Sequence, residues 1–166
     1  MDLSLTLLGV KFDNPLGPAS GPLSGSYQSL KFFNDNKCGV MVTKTISVEG
    51  AHVPKPCMAG TDKLIYNCEL WSELHSDVWI EAILPQIDNV KKKPLIVSVG
   101  YTSEDFNYLI PKVDPYVDFY EVSTHYSKDS LSSIVKSIRR HTEKPIFMKL
   151  SPHVEDYLGF VKTVLE

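Results

Sequence analysis

At 166 residues the chain is long enough for one domain, residues 1–166, with a core able to fold by itself. Its 43% hydrophobic and 22% charged residues are an ordinary globular balance, which excludes a disordered chain. A formal net charge of -3, with no basic run longer than Lys91-Lys92-Lys93, argues against nucleic acid or an anionic membrane as the main partner.

Residues 3–13 alternate in hydrophobicity on both sides of Gly9, which predicts a small β-hairpin. This opening has no basic flank, and Ser4, Thr6 and Gly9 interrupt its apolar residues, so it does not read as a signal peptide. A strand–helix rhythm follows. A short strand is expected through Leu16–Ser20, then a helix over Tyr27–Asn36 with Leu30 and Phe33 inward, closed by Lys37-Cys38-Gly39. Val40–Thr45 reads as the next strand. The polar, proline-bearing stretch Val48–Tyr66 is too long for an idle connection and reads as a functional loop.

A helix is expected around Ser76–Leu84, limited or kinked by Pro85. Pro94–Gly100 has strand length, and Ser103 with Glu104 and Asp105 opens another helix through a hydroxyl cap and an acidic first turn. Val117–Ser123 reads as a strand. Asp129–Arg140 reads as a helix with Leu131, Ile134, Val135 and Ile138 on one stripe. Pro145–Leu150 is a fifth strand, and Ser151-Pro152 is expected to start a fifth helix whose apolar face carries Tyr157, Leu158, Val161, Val164 and Leu165.

This alternation implies an α/β fold with a parallel sheet, either doubly wound or closed as a TIM (β/α)8 barrel. Three cysteines, Cys38, Cys57 and Cys68, fit reduced thiols better than a disulfide frame, and no CxxC metal pair exists, so no metal is expected. No run reaches the roughly 20 apolar residues that span a bilayer. A cytoplasmic protein with no membrane partner is expected.

Functional groups of such folds gather at the carboxyl ends of the strands. Here those ends carry Ala19-Ser20-Gly21, Thr43-Lys44-Thr45, Ser98-Val99-Gly100, Glu121 to Tyr126, and Lys149-Leu150-Ser151. Lys44 and Lys149 sit in otherwise apolar strands, where an ammonium needs an anion or a strong acceptor. A carboxylate such as Glu121 would serve, as would a bound ligand.

Asn14-Pro15-Leu16-Gly17-Pro18-Ala19-Ser20-Gly21, Val42-Thr43-Lys44-Thr45 and Met148-Lys149-Leu150-Ser151-Pro152 resemble successive signatures of the dihydroorotate dehydrogenase family. The N-terminal hairpin and Asn67 also fall where that family places them. The resemblance implies an FMN enzyme on a (β/α)8 barrel, of the soluble class, oxidising dihydroorotate to orotate in pyrimidine (UMP) biosynthesis. It implies that Ala19, Ser20 and Gly21 approach the flavin ring and that Lys44 bonds near flavin and substrate. Lys149 would place charge beside the flavin N1/C2 carbonyl, and Asn67 and Ser123 would contact the substrate.

The strand-four sequence departs from the family's Glu-x-Asn-x-Ser-Cys/Ser-Pro-Asn pattern. Glu121 matches, but Ser123 stands at the first Asn, Tyr126 at the proton-accepting Cys/Ser, and Lys128 at the last Asn. His125 and Tyr126 are therefore the candidate catalytic bases, His125 because it titrates near neutrality. A barrel needs roughly 250 residues, so the chain reads as the N-terminal five strand–helix units of one, and the isolated piece is expected to be inactive. A related FMN barrel enzyme with another substrate, and a non-catalytic partial barrel acting as a binding module, remain alternatives. A homodimer is compatible with the sequence.

Overall fold

The computed structural model describes residues 1–124, 129–151 and 154–165. The chain opens with the antiparallel hairpin β1 (Leu5–Leu7) and β2 (Val10–Phe12). Its turn holds Leu8 at φ 48 and Gly9 at φ 85, the left-handed pair that a two-residue hairpin loop requires and that glycine adopts freely. Helix α1 (Tyr27–Asp35) is capped by Ser26, whose hydroxyl accepts from Ser29 N–H. Then come β3 (Met41–Val42) and a second hairpin, β4 (Met58–Gly60) and β5 (Ile65–Asn67). A composite helix follows, made of α2 (Ser76–Val78), a π-helical turn (Trp79–Ile83) and α3 (Leu84–Asp88). The remaining order is β6 (Leu95–Val99), α4 (Ser103–Val113), β7 (Phe119–Ser123), α5 (Leu131–Arg139), β8 (Ile146–Lys149) and α6 (Tyr157–Leu165). Among the described residues no helix is long and apolar enough to cross a membrane.

Strands β3, β6, β7 and β8 form one parallel sheet in that order. Alternating helices cover its outer face. Leu95, Val97, Val99, Tyr120 and Val122 point there and pack with Trp79, Phe106, Leu109, Ile110, Ile134 and Ile138, all fully buried. Burying each such leucine, isoleucine or phenylalanine contributes about 1.5–3 kcal/mol. The inner face is graded along its length. Near the strand starts Val40, Val42, Phe119 and Phe147 pack under Phe12 of the N-terminal hairpin, with Phe119 5.5 Å from the Phe12 ring and 5.1 Å from Phe147. Toward the carboxyl ends the same face turns polar, with Ser98 opposite Glu121 and Ser123 opposite Lys149.

Several expectations need correction. Leu16–Ser20 forms no strand ladder, because Pro15 and Pro18 have no N–H to offer. The segment nevertheless keeps its place beside β3: Gly39 N–H donates to Leu16 O (2.7 Å) and Ser20 Oγ meets Thr45 Oγ1 (2.9 Å). Gly39 is needed there, since a Cβ would lie 1.9 Å from Asn14 O. The helix after residue 76 does not stop at Pro85 but continues to Asp88. The π turn just ahead, in which Leu84 N–H donates to Trp79 O, widens the backbone where a proline ring would clash. Helix α4 is capped by Thr102, one residue before the expected Ser103. The long 48–66 stretch contains the β4–β5 hairpin rather than plain loop. The last helix begins at Tyr157, not at Ser151, with Asp156 Oδ1 accepting from Gly159 N–H (2.8 Å). Its expected apolar face is uncovered: Leu158 and Leu165 are 76% and 80% exposed.

Asp105 ties helix α4 to two loops. Its Oδ1 accepts from Ser47 Oγ and Val48 N–H (both 2.9 Å), and its Oδ2 from Tyr101 N–H, Thr102 N–H and Thr102 Oγ1 (3.1, 3.0 and 2.7 Å). Burial raises the carboxyl pKa, but hydrogen bonds from Val48, Thr102, Tyr101 and Ser47 outweigh it and hold the group below its ordinary value. A carboxyl whose folded pKa is depressed stabilises the protein above its unfolded pKa and loses that contribution as pH falls through the folded one. Asp105→Ala should therefore cost on the order of 3 kcal/mol at neutral pH. The gap to wild type should shrink as the unfolding titration is moved below about pH 4; a gap that stays constant on acidification would contradict the ionised-cap account.

Candidate functional site

The carboxyl end of the sheet is joined by a run of polar side chains that crosses five consecutive segments. Ser20 Oγ lies 2.9 Å from Thr45 Oγ1, which lies 3.0 Å from Ser98 Oγ. Ser98 Oγ donates to Glu121 Oε1 at 2.8 Å, and Lys149 Nζ stands 3.6 Å from that same oxygen. Lys149 Nζ then reaches back to Ser20 O at 3.4 Å, closing the run on itself. Parallel register causes this convergence, because residues at matching heights on neighbouring strands share one face. Ser123, directly opposite Lys149, is buried, and Thr124 Oγ1 donates to Lys149 O at 2.8 Å.

Both lysines carry a carboxylate partner, but not the same one. The anticipated Glu121 serves Lys149, whose side chain is 41% exposed. Lys44, almost fully buried, pairs instead with Glu69 at 3.1 Å, the two side chains being 8% and 11% exposed. Glu69 was not anticipated. The signal was a buried strand lysine in need of an anion, but sequence distance gave no reason to look across a loop. The backbone at Lys44 also leaves the sheet: its N–H donates to Ser24 O (2.8 Å), while Thr43 and Ile46 N–H groups bond β6. That local bulge carries Lys44 toward the loop that bears Glu69.

The expected cofactor residues Ala19, Ser20 and Gly21 form a loop folded around Ser24, whose hydroxyl accepts from Gly21 N–H (3.2 Å) and donates to Ala19 O (3.4 Å). A cleft of about 490 Å³ runs along this loop and is lined by Ala19, Ser20, Gly21, Leu23 and Met58 among others, but not by either lysine. Asn67 ends β5 on the exposed side of its hairpin. Its Oδ1 accepts from Glu69 N–H (2.9 Å), which leaves Nδ2 to donate. The structure thus brings Ser20, Ser123 and Lys149 together, places Lys44 one residue from Thr45 of the same run, and links Asn67 to Lys44 through Glu69. His125 and Tyr126 lie outside the described residues.

Removing one member of a buried ion pair leaves the other charge unpaired. Glu69→Ala should therefore lower stability by about 3 kcal/mol, whereas the double replacement Lys44→Met with Glu69→Leu should be close to neutral. Chemical denaturation of the three proteins measures both. A double variant as unstable as the single one would show that the cost comes from packing rather than from the charge.

The sequence profile of the family described as dihydroorotate dehydrogenase matches residues 2–165. The chain is similar to the dihydroorotate dehydrogenase B (NAD(+)) catalytic subunit of Pyrococcus horikoshii, with 31% identity over 169 residues covering 93% of this chain and 54% of that protein. It is similar to the subunits of the same name from Thermoplasma volcanium, at 30% identity over 97% of this chain and 58% of the relative, and Geobacter metallireducens, at 26% over 93% and 56%. The chain spans little more than half the length of these relatives. The parallel sheet with alternating helices is accordingly part of a (β/α) barrel. By its profile match across almost its whole length, and by the order of its strand-end residues, the chain belongs to the dihydroorotate dehydrogenase family.

Proposed function

We propose that this chain, as a single domain over residues 1–166, supplies the flavin-ring and substrate face of an FMN-dependent oxidoreductase that converts dihydroorotate to orotate in pyrimidine biosynthesis. The observation that carries the reading is the closed polar run at the strand ends, in which Lys149 presents a partly exposed ammonium at the end of its strand. The residues fit the group. A flat ring can rest against Gly21, where an added Cβ would meet nothing nearer than 3.9 Å, and Ser20 and Lys149 supply polar contacts beside it. FMN, when bound, supplies a two-electron acceptor for the substrate's hydride.

The chain's own residues do the remaining work. Lys149 holds positive charge where negative charge accumulates during hydride transfer, and Glu121 fixes its position without fully neutralising it. Asn67 Nδ2 donates to a substrate carboxylate or carbonyl, and the hairpin that bears it limits water access. Lys44, neutralised by Glu69, orients rather than charges the site. His125 or Tyr126 accepts the substrate proton. Ser123 contacts the substrate in place of the family's asparagine. That substitution favours a second reading, a related flavin barrel enzyme with a different substrate.

Joining residues 1–166 to the C-terminal portion of the Pyrococcus horikoshii relative gives a full-length protein in which these roles can be measured. Dihydroorotate should reduce its bound flavin under anaerobic conditions. Lys149→Ala should raise the barrier to flavin reduction by on the order of 2–4 kcal/mol. Flavin that binds but is left oxidised by dihydroorotate would select the different-substrate reading, and failure to bind flavin would overturn the proposal altogether.

The base is separately testable in the same protein. If His125 takes the proton, activity should fall as pH drops through the ordinary imidazole range, and His125→Asn should remove that limb. Loss of turnover in Tyr126→Phe, with an unchanged pH profile in His125→Asn, would assign the role to Tyr126.

A further inference from the structure

The β4–β5 hairpin sets two cysteines opposite each other. Its register pairs Met58 with Asn67, and one step further Cys68 N–H donates to Cys57 O at 2.9 Å. Cys57 and Cys68 therefore face each other one step beyond the ladder, joined by one backbone hydrogen bond, with side chains on the same face of the ribbon. Such pairs hold their Cα atoms about 5.5 Å apart, which lies within the spacing a disulfide needs, roughly 4.4–6.8 Å. Both thiols are free, Cys57 half-buried and Cys68 exposed, and Cys68 Sγ already lies 3.3 Å from Cys57 O.

The charges around the pair connect it to the site. Lys55 Nζ stands 3.6 Å from Cys57 Sγ and is also held by Glu73 at 2.6 Å. On the other side Cys57 Sγ donates to Glu69 Oε1 at 3.7 Å, while Glu69 Oε2 faces Lys44. One carboxylate thus bridges the thiol and the buried lysine. Asn67 precedes Cys68 in the chain, so any covalent tie at Cys68 acts next to it.

We infer that Cys57 and Cys68 form a reversible dithiol–disulfide site that fixes the strand carrying Asn67 and Glu69. The oxidant is a small-molecule disulfide. The exposed Cys68 thiolate attacks one of its sulfurs, forming a mixed disulfide and expelling one thiolate. Cys57, as thiolate, then attacks the Cys68 sulfur, forming the Cys57–Cys68 bond and expelling the second thiolate. Two cysteines lose two electrons and two protons, and the small disulfide is reduced to two thiols. Oxidation withdraws the S–H that Cys57 gives to Glu69 and cross-links the two strands beside Asn67. The consequence for substrate binding rests on the function proposed above; the disulfide itself does not.

The test equilibrates the wild-type chain in glutathione buffers from reducing to oxidising, alkylates free thiols and maps peptides by mass spectrometry. The expected product is a joined Cys57–Cys68 peptide pair lacking two hydrogens, which reverts with reductant and is absent in Cys57→Ser and Cys68→Ser, while Cys38 stays alkylatable. Amide hydrogen exchange across Ile65–Asn67 should slow by about tenfold or more in the oxidised form. Thiols that remain alkylatable at the oxidising end, or that end as two separate glutathione adducts, would overturn the site. Unchanged exchange would overturn its action on the strand. Neither readout involves flavin or turnover, so these failures are distinct from failure of the proposed activity. Cys68→Ser, at an exposed position, keeps the test valid if Cys57→Ser folds poorly.

Discussion

The parallel register of the sheet is the constraint from which the rest of the molecule follows. Because β6, β7 and β8 run side by side in phase, Ser98 faces Glu121 and, two residues further along, Ser123 faces Lys149, on one face of the sheet. Ser20 and Thr45 join that face at Ser98 from the segments on the other side. A hydrogen-bonded network of this kind is strong only when its members are mutually satisfied. Slipping any strand by one residue would turn its polar groups into the helix-packed outer layer and its apolar groups toward the site. The same register that closes the hydrophobic core therefore assembles the polar face.

The inner face shows how one sheet serves two purposes. At the strand starts, Phe119 and Phe147 stack beneath Phe12, which the N-terminal hairpin lays against this end of the sheet. At the strand ends the side chains shorten to serine and threonine or become charged, leaving room for a ligand and groups to bind it. Asp105 anchors the same end from outside the sheet. Its five accepted hydrogen bonds tie the loop after β3 and the loop after β6 to the first turn of α4. These are the loops from which binding residues of such folds project.

The two lysines solve the cost of a cation near a core in different ways. Lys149 stays partly exposed and keeps Glu121 at 3.6 Å, so its charge remains available to a neighbour. Lys44 is almost completely enclosed and has Glu69 at 3.1 Å, so its charge is largely spent within the protein. Glu69 belongs to the same loop as Asn67, Cys57 and Cys68. The ordering of that loop, the neutralisation of Lys44 and the placement of Asn67 are consequently one linked matter. The uncovered apolar side of α6 stands apart from this linkage.

Much of this was determined by local sequence. Period-two alternation around Gly9 specified the first hairpin, and the strand–helix rhythm specified the parallel sheet. Leu30, Ile134 and Ile138 were legible as core from helical spacing alone. The strand-end motifs with Ser20, Lys44 and Lys149 were legible because ammonium groups in apolar strands demand an explanation. What local sequence did not hold were relations between distant segments. Prolines 15 and 18 were visible, but only the fold shows that their segment keeps its place without a ladder. Pro85 reads as a helix limit in isolation, whereas the π turn ahead of it accommodates the ring. The pairing of Lys44 with Glu69, 25 residues on in the numbering, and the facing of Cys57 with Cys68 come from loop closure and hairpin register. Periodicity reports which face a residue takes on its own element, because that is fixed by backbone geometry within a few residues. Which partner it meets across the molecule depends on how the elements dock, and that is decided only by packing the whole chain.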